Sequence, residues 1–240
     1  MIELLGVGVR HARDAWLFRE VCVRFERGTL GAIVAESAAP AAALLDAVTG
    51  RSIPHEGRVW ITRLPVMRET RGRVRRLVGD VTTASVLATH RSVLWNTMTT
   101  PRSLLAGLLP FPRSRAQQAA LSALAVVGLE QRADDPARVL SASERVRVSI
   151  ARTLARGPAA LVLRDVDAVL GPHDASSILA VMRRLARSQR LSALVSLTSL
   201  PLALRHADQV LVLPAGELVR DRRTSDVESE HVCTLETAAR

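Results

Sequence analysis

The chain has 240 residues and a mass of 26.0 kDa, enough for one domain carrying an inserted lobe. With 48% hydrophobic residues it can bury a substantial core, which excludes a disordered chain. All 33 basic residues are arginine, and 23 acidic ones leave a formal net charge of +10. That balance suits nucleic acid, an anionic membrane surface or an acidic partner, and it also fits a mere compositional habit, because net charge governs association and not fold.

Cys22 and Cys233 lie far apart and in no metal-ligand spacing, so a reducing, cytosolic setting is expected. The N-terminus meets Glu3 at once and lacks a basic-then-apolar leader. The longest nearly apolar run, 191–204, is broken by serines, a threonine and Pro201. It falls short of the ~20 residues that span a bilayer. A soluble chain is expected, one that serves a membrane only by docking on something that crosses it.

In chain order, Ile2–Leu5 and Val21–Phe25 alternate as strands. Gly28 turns the chain, and Ile33-Val34-Ala35 reads as a buried strand. In the segment 36–50 the last half is expected to be helical, stopped by Gly50. His55–Ile61 gives a turn and a strand. Arg68 to Arg76 is rich in arginine and reads as a solvated face, or as a surface toward lipid headgroups or an acidic partner. Residues 84–158 are helix-rich, with Pro101, Pro110 and Pro112 punctuating a loop and a helix over Arg115 to Val127 ended by Gly128. Ser141 is a good N-cap, and Glu144, three residues on, completes a capping box. Val148, Ile150, Ala151, Leu154 and Ala155 largely form an apolar stripe, while Arg145, Arg147, Arg152 and Arg156 take the wetter side. Pro158 stops that helix, and Leu161-Val162-Leu163 reads as a buried strand ending in Arg164-Asp165. A helix over 174–188 and a strand over Ala193–Leu197 follow.

The string from Leu140 to Asp165 resembles the signature helix and following strand of the ATP-binding cassette family, which reads L-S-G-G-E/Q-x-x-R-V-x-I-A-R-A-L-A before a strand ending in two acidic residues. Ser92-Val93-Leu94-Trp95-Asn96, Val126-Val127-Gly128-Leu129 and Ala207–Leu213 resemble further family stretches, so the likeness covers about residues 2–220. It implies an α/β fold: a P-loop NTPase-like (RecA-like) core with a mixed β-sheet, an N-terminal antiparallel β subdomain and an inserted α-helical lobe. The core is expected over 1–83 and 159–220, the helical signature subdomain over 84–158 and a polar tail over 221–240. The lobe's spacing resembles importer subunits of the phosphonate and phosphate type.

What the family uses for chemistry is replaced here. A phosphate-cradling loop needs glycines, a lysine and a magnesium-binding hydroxyl. Its pattern falls on 35–43, where Ala35, Ala38 and Pro40 stand for the glycines, Ala41 for the lysine and Ala42 for the hydroxyl, with Ser37 between them. The glutamine that senses magnesium and water becomes Thr83. Ser141 survives in the signature, but its two glycines become Ala142 and Ser143, followed by Glu144. The metal-binding aspartate and catalytic glutamate become Arg164 and Asp165. The aspartate that crosses the dimer becomes Gly171, the histidine after the next strand Thr198, and the adenine-stacking aromatic His11.

These replacements, His11 aside, fall in six separate segments, and function must be argued from the site and not from the fold. The resemblance therefore implies a pseudo-ATPase, paired with an active ATPase subunit and docked on transmembrane permease subunits. It would be cytoplasmic and peripheral on the inner face of the membrane. It would have no catalytic residue, metal or cofactor of its own, with ATP and magnesium present only in a partner's site. One alternative is a soluble scaffold of this fold binding an acidic protein or nucleic acid, although no aromatic stacking platform favours nucleic acid. The other is an active ATPase with an unusual site, for which no substitute lysine or magnesium ligand is evident.

Overall fold

The computed structural model describes residues 1–10, 15–83, 86–98, 113–213 and 233–236. His11 and the Gly216 turn lie outside them. The described chain divides into two compact units, Met1–Asp80 with Ala159–Arg240, and Val81–Pro158.

The first unit opens with strands β1 (Ile2–Arg10) and β2 (Trp16–Phe25), then β3 (Leu30–Ala35) and helix α1 (Ala38–Val48). Strands β4 (Glu56–Ile61) and β5 (Leu64–Pro65) precede α2 (Arg71–Leu77) and β6 (Val78–Thr82). In β2 the side chains of Val21, Val23 and Phe25 are buried while Cys22 and Arg24 are exposed, the period-two pattern of a half-covered sheet. β1 pairs antiparallel with β2 and β4, giving a sheet ordered β2-β1-β4-β5. β3 is buried along its whole length. Gly31 makes that burial possible, since a Cβ there would lie 2.4 Å from the Phe25 ring.

The second unit holds α3 (Val93–Met98), α4 (Arg113–Val126) and α5 (Ala142–Leu154), with single 3₁₀ turns at Glu130–Arg132 and Ala137–Val139. Asn96 is buried, and its side chain accepts from the Ala88 amide and donates to the Ala88 and Ser92 carbonyls. One amide thereby ties the incoming loop to α3. The stop at Gly128 is as expected: its φ is +75°, and Leu129 N–H donates to Leu124 O.

The chain then returns to the first unit through β7 (Ala160–Arg164), α6 (Val166–Val169), α7 (Pro172–Gln189), β8 (Ser192–Leu197), α8 (Leu200–His206) and β9 (Gln209–Leu213). β3 runs parallel to β8 and β9, and β7 parallel to β8. β10 (Cys233–Glu236) adds antiparallel to β9, so the larger, mixed sheet is ordered β10-β9-β3-β8-β7-β6. Within the expected polar tail, then, four residues form an edge strand, and the rest lie outside the described residues. β3, β7 and β8 are buried along their whole length because both faces of a parallel sheet are covered. The core of this unit joins both sheets through α1, with Phe25, Ile33, Leu44, Leu45, Ile61 and Val162 among its buried members. Among the described residues no helix is long and apolar enough to cross a membrane.

Candidate nucleotide site

The segment after β3 differs from the expectation that only its last half is helical. Ala35 ends β3, Glu36 and Ser37 form a bend, and α1 begins at Ala38. Ser37 is the N-cap but makes no side-chain capping hydrogen bond. Ala38, Pro40, Ala41 and Ala42 are therefore helical, with Pro40 and Ala41 buried. The physical reason is local. Alanine is the strongest helix former, and proline is tolerated in the first turn, where its missing N–H would have no partner anyway. Only Glu36 and Ser37 are left to connect strand and helix. α1 ends in a Schellman arrangement: Gly50 has φ +70°, its N–H donates to Ala47 O, and Arg51 N–H donates to Asp46 O.

Arg164, at the end of β7, is buried, its side chain 9% exposed. Its Nε donates to Asp80 Oδ1 at 2.9 Å and its Nη2 to Asp80 Oδ2 at 3.2 Å, a two-pronged pair. Nη2 also lies 2.8 Å from Asp46 Oδ1 on α1, an ion pair without hydrogen-bond alignment. Longer contacts reach Thr49 Oγ1 at 3.4 Å and Ala42 O at 3.5 Å. Arg51 completes the cluster with Nη2 at 2.8 Å from Asp80 Oδ2. Burial works to lower the Arg164 pKa, but Asp80 and then Asp46 outweigh it and raise the value, so the guanidinium stays charged.

The other positions in this unit are also tied into the fold. Asp165 sits in the left-handed region at φ 52°, and its N–H donates to Ser196 Oγ, which donates back to Asp165 Oδ1. Thr198 donates its N–H and its hydroxyl to Asp167, as does Ser199 N–H. Gly171 caps α7, and a Cβ there would meet nothing within 4 Å, so space alone does not demand glycine. In the second unit, Thr83 lies in a turn after β6 and is half-buried. The structure thus brings Ala42 to Arg164. It also shows partners that sequence reasoning missed, namely Asp46, Thr49, Arg51, Asp80, Asp167 and Ser196. Their signal was faint: an acid in an otherwise apolar helix, and another inside a strand.

The model of the ABC transporter family matches residues 18–165. The chain belongs to the ABC transporter family. It is 26% identical over 237 residues to the phosphonates import ATP-binding protein PhnC 1 of Trichodesmium erythraeum, covering 97% of this chain and 94% of that one. It is 29% identical over 231 residues to the phosphonates import ATP-binding protein PhnC of Chromohalobacter salexigens, covering 92% and 84%. Among solved structures, cbiO1 of Clostridium perfringens, part of the ABC transporter complex cbiONQ, superposes with a TM-score of 0.78 at 20% identity, covering 91% of this chain and 86% of that one. That likeness shows the cassette fold.

In this ABC-family chain the signature helix is built as the sequence predicts. Ser141 Oγ accepts from Glu144 N–H at 3.2 Å, and Glu144 Oε2 accepts from Ser141 N–H at 2.8 Å, a complete capping box. Ser141 and Ser143 place their hydroxyls 3.3 Å apart, and Ala142 is exposed beside them. Arg132 pairs with Glu144 and with Asp135, bracing the cap. The apolar stripe is narrower than expected. Leu154 and Ala155 are only half-buried, and Ser149 and Thr153 are buried instead, each returning its hydroxyl to the carbonyl four residues back. Burial works to raise the Glu144 pKa, but the Ser141 amide and Arg132 outweigh it and hold the carboxyl below its usual range.

Ser141→Ala is expected to cost about 1 kcal/mol in urea unfolding, the usual worth of an N-cap. A folded value below the unfolded one means that Glu144 stabilises the fold at neutral pH. That contribution fades as pH falls below the ordinary glutamate range, and Glu144→Gln should remove this part of the acid dependence.

Proposed function

We propose that the chain is a catalytically silent, nucleotide-binding-domain-like subunit of an ABC importer. It pairs with an active ATPase subunit and docks on transmembrane permease subunits, at the inner face of the membrane. The observation that carries this reading is the Arg164 cluster. Where the family holds magnesium with an aspartate, this chain holds a buried guanidinium already neutralised by Asp46 and Asp80. A divalent cation brought there would meet a fixed positive charge whose counter-ions are taken.

The short β3–α1 connection supports the same reading. Backbone N–H groups of Ala41 and Ala42, which would turn toward phosphate in a glycine loop, lie inside helix α1. These residues do not fit a magnesium nucleotide, so no hydrolytic step is assigned to this chain. The importer class follows the phosphonate importers to which it is similar. The capped N-terminus of α5, with Ser141 and Ser143, is what remains to offer a partner's nucleotide.

Calorimetric titration of the purified chain with Mg-ATP is expected to show no saturable binding up to millimolar nucleotide. Saturable, magnesium-dependent binding would overturn the reading. Affinity purification in mild detergent is expected to recover membrane-spanning subunits together with a second cassette protein bearing an intact phosphate loop. Recovery with soluble proteins or nucleic acid alone would remove it from transport.

A further inference from the structure

Within the first unit, α2 divides its arginines between two faces. Arg71 Nε and Arg75 Nε both donate to Gly50 O at 3.1 Å, and Arg71 Nη2 donates to Arg51 O at 2.6 Å. The carbonyl end of α1 draws them in, because a helix C-terminus carries partial negative charge. Val74 is buried and Leu77 half-buried, which fixes the inward side of the helix. Arg73 and Arg76, three residues apart, are left exposed on a face of their own. The turn before α2 is held by Thr70. Its Oγ1 accepts from Met67 N–H at 3.0 Å and donates to Pro65 O, while Arg71 N–H donates to Met67 O at 3.0 Å. That turn holds Met67 43% exposed, with Arg68 exposed beside it. Among the described residues no ion pair neutralises Arg68, Arg73 or Arg76. Glu69 is the only acid from 57 to 79.

The surface therefore offers three unspent guanidinium groups and one exposed thioether on a braced turn and helix. An anionic bilayer meets both. A guanidinium binds a phosphate by two parallel hydrogen bonds, and an apolar side chain enters the boundary between headgroups and acyl chains. Nucleic acid is a poorer fit, because the segment 61–79 has no aromatic ring on which a base could stack. A protein partner is a poorer fit too. Stable protein interfaces centre on a cluster of apolar anchors, and among the described residues Met67 is the only exposed large apolar side chain between 54 and 83. We propose that Arg68, Arg73 and Arg76 bind anionic phospholipid headgroups directly, with Met67 entering between them. The inference rests on the reading of the chain as a subunit at the inner face of the membrane, and it adds a lipid contact that needs no permease subunit.

The test is co-sedimentation of the full chain with vesicles of phosphatidylcholine and phosphatidylglycerol at physiological salt. Each arginine is expected to contribute about fivefold to vesicle affinity, so Arg73→Gln together with Arg76→Gln should weaken binding about 25-fold. Arg73→Lys with Arg76→Lys keeps both charges and should retain most of it. Thermal melting checks that each variant is folded. Arg138→Gln with Arg156→Gln removes the same charge from exposed positions of the helical unit and is expected to change affinity by no more than about twofold. Equal losses in the two glutamine pairs would mean that net charge alone binds the vesicles, and would overturn the proposal. So would equal binding to vesicles of phosphatidylcholine alone. Met67→Ser is expected to weaken binding severalfold, and no change would overturn the insertion of Met67. Release of the chain from vesicles at constant ionic strength by inorganic phosphate, by oligoglutamate or by single-stranded RNA would overturn the proposal in favour of a free anion, an acidic protein or nucleic acid respectively. The vesicles contain no protein, so failure here leaves the Mg-ATP titration and the co-purification standing, and the lipid contact and the subunit reading fail separately.

Discussion

Arg164→Ala is expected to destabilise the chain by about 3–5 kcal/mol in urea unfolding, the usual consequence of removing one partner from a buried ion cluster. In a domain of this size that corresponds to a fall in thermal midpoint of roughly 10 °C. The guanidinium is 9% exposed and serves Asp80, itself 13% exposed, and Asp46 on a different element. Without it Asp46 loses its ion pair and Asp80 keeps that to Arg51 among the described residues, while β7 loses its tie to α1 and β6. Arg164→Met keeps the volume but not the charge, and should lose nearly as much, which separates the electrostatic part from a cavity. Adding Asp46→Asn and Asp80→Asn to Arg164→Met should recover much of the loss, because a neutral, well-packed replacement of a buried ion pair costs little. A loss under ~1 kcal/mol for Arg164→Ala would mean that water screens the cluster as it does a surface pair, and the argument against a metal at this place would go with it.

Asp167→Ala is expected to cost about 2 kcal/mol, since hydrogen bonds to a charged group contribute more than neutral ones. Asp167 accepts from Thr198 N–H at 2.9 Å, Thr198 Oγ1 at 3.0 Å and Ser199 N–H at 2.8 Å. It therefore fixes the turn after β8 and the entry to α8, whose own cap is Ser199. The effect should be local as well as global. Amide exchange at Thr198 and Ser199 is expected to rise by roughly 30-fold, the same free energy read at those sites. Asp167→Asn keeps one acceptor oxygen and should lose less. Unchanged exchange at both amides would show that solvent replaces the carboxylate and that this turn is not held by it.

The capping box of α5 was legible in the sequence because it needs only Ser141 and Glu144 at a fixed spacing, and both bonds form. The Gly50 and Gly128 stops were legible for the same reason, since a left-handed residue after a helix needs glycine wherever it occurs. The family resemblance gave the order of the elements. The start of α1 differs from the expectation: the family pattern falls on 35–43 as a loop, but alanines without glycine obey helix propensity and α1 begins at Ala38. In the arginine-rich stretch 68–76, expected as a solvated face or a surface toward lipid headgroups or an acidic partner, Arg68, Arg73, Arg75 and Arg76 are exposed, while Arg71 and Arg75 also turn back to the end of α1. Composition counts charges but does not place carbonyls.

The sequence by itself determined the local features, namely strand alternation, helix starts and stops, and the absence of glycine, lysine and hydroxyl from the phosphate-loop pattern. Each depends on residues a few positions apart, and such neighbours are on the page in linear order. The tertiary structure alone decided what stands in their place. Arg164 meets Asp80 across 84 residues and Thr49 across 115, and Ser196 meets Asp165 across 31. No periodicity encodes such pairings. They follow from the strand order β8-β7-β6 beside α1, which puts one buried cation where two carboxylates and a helix end converge.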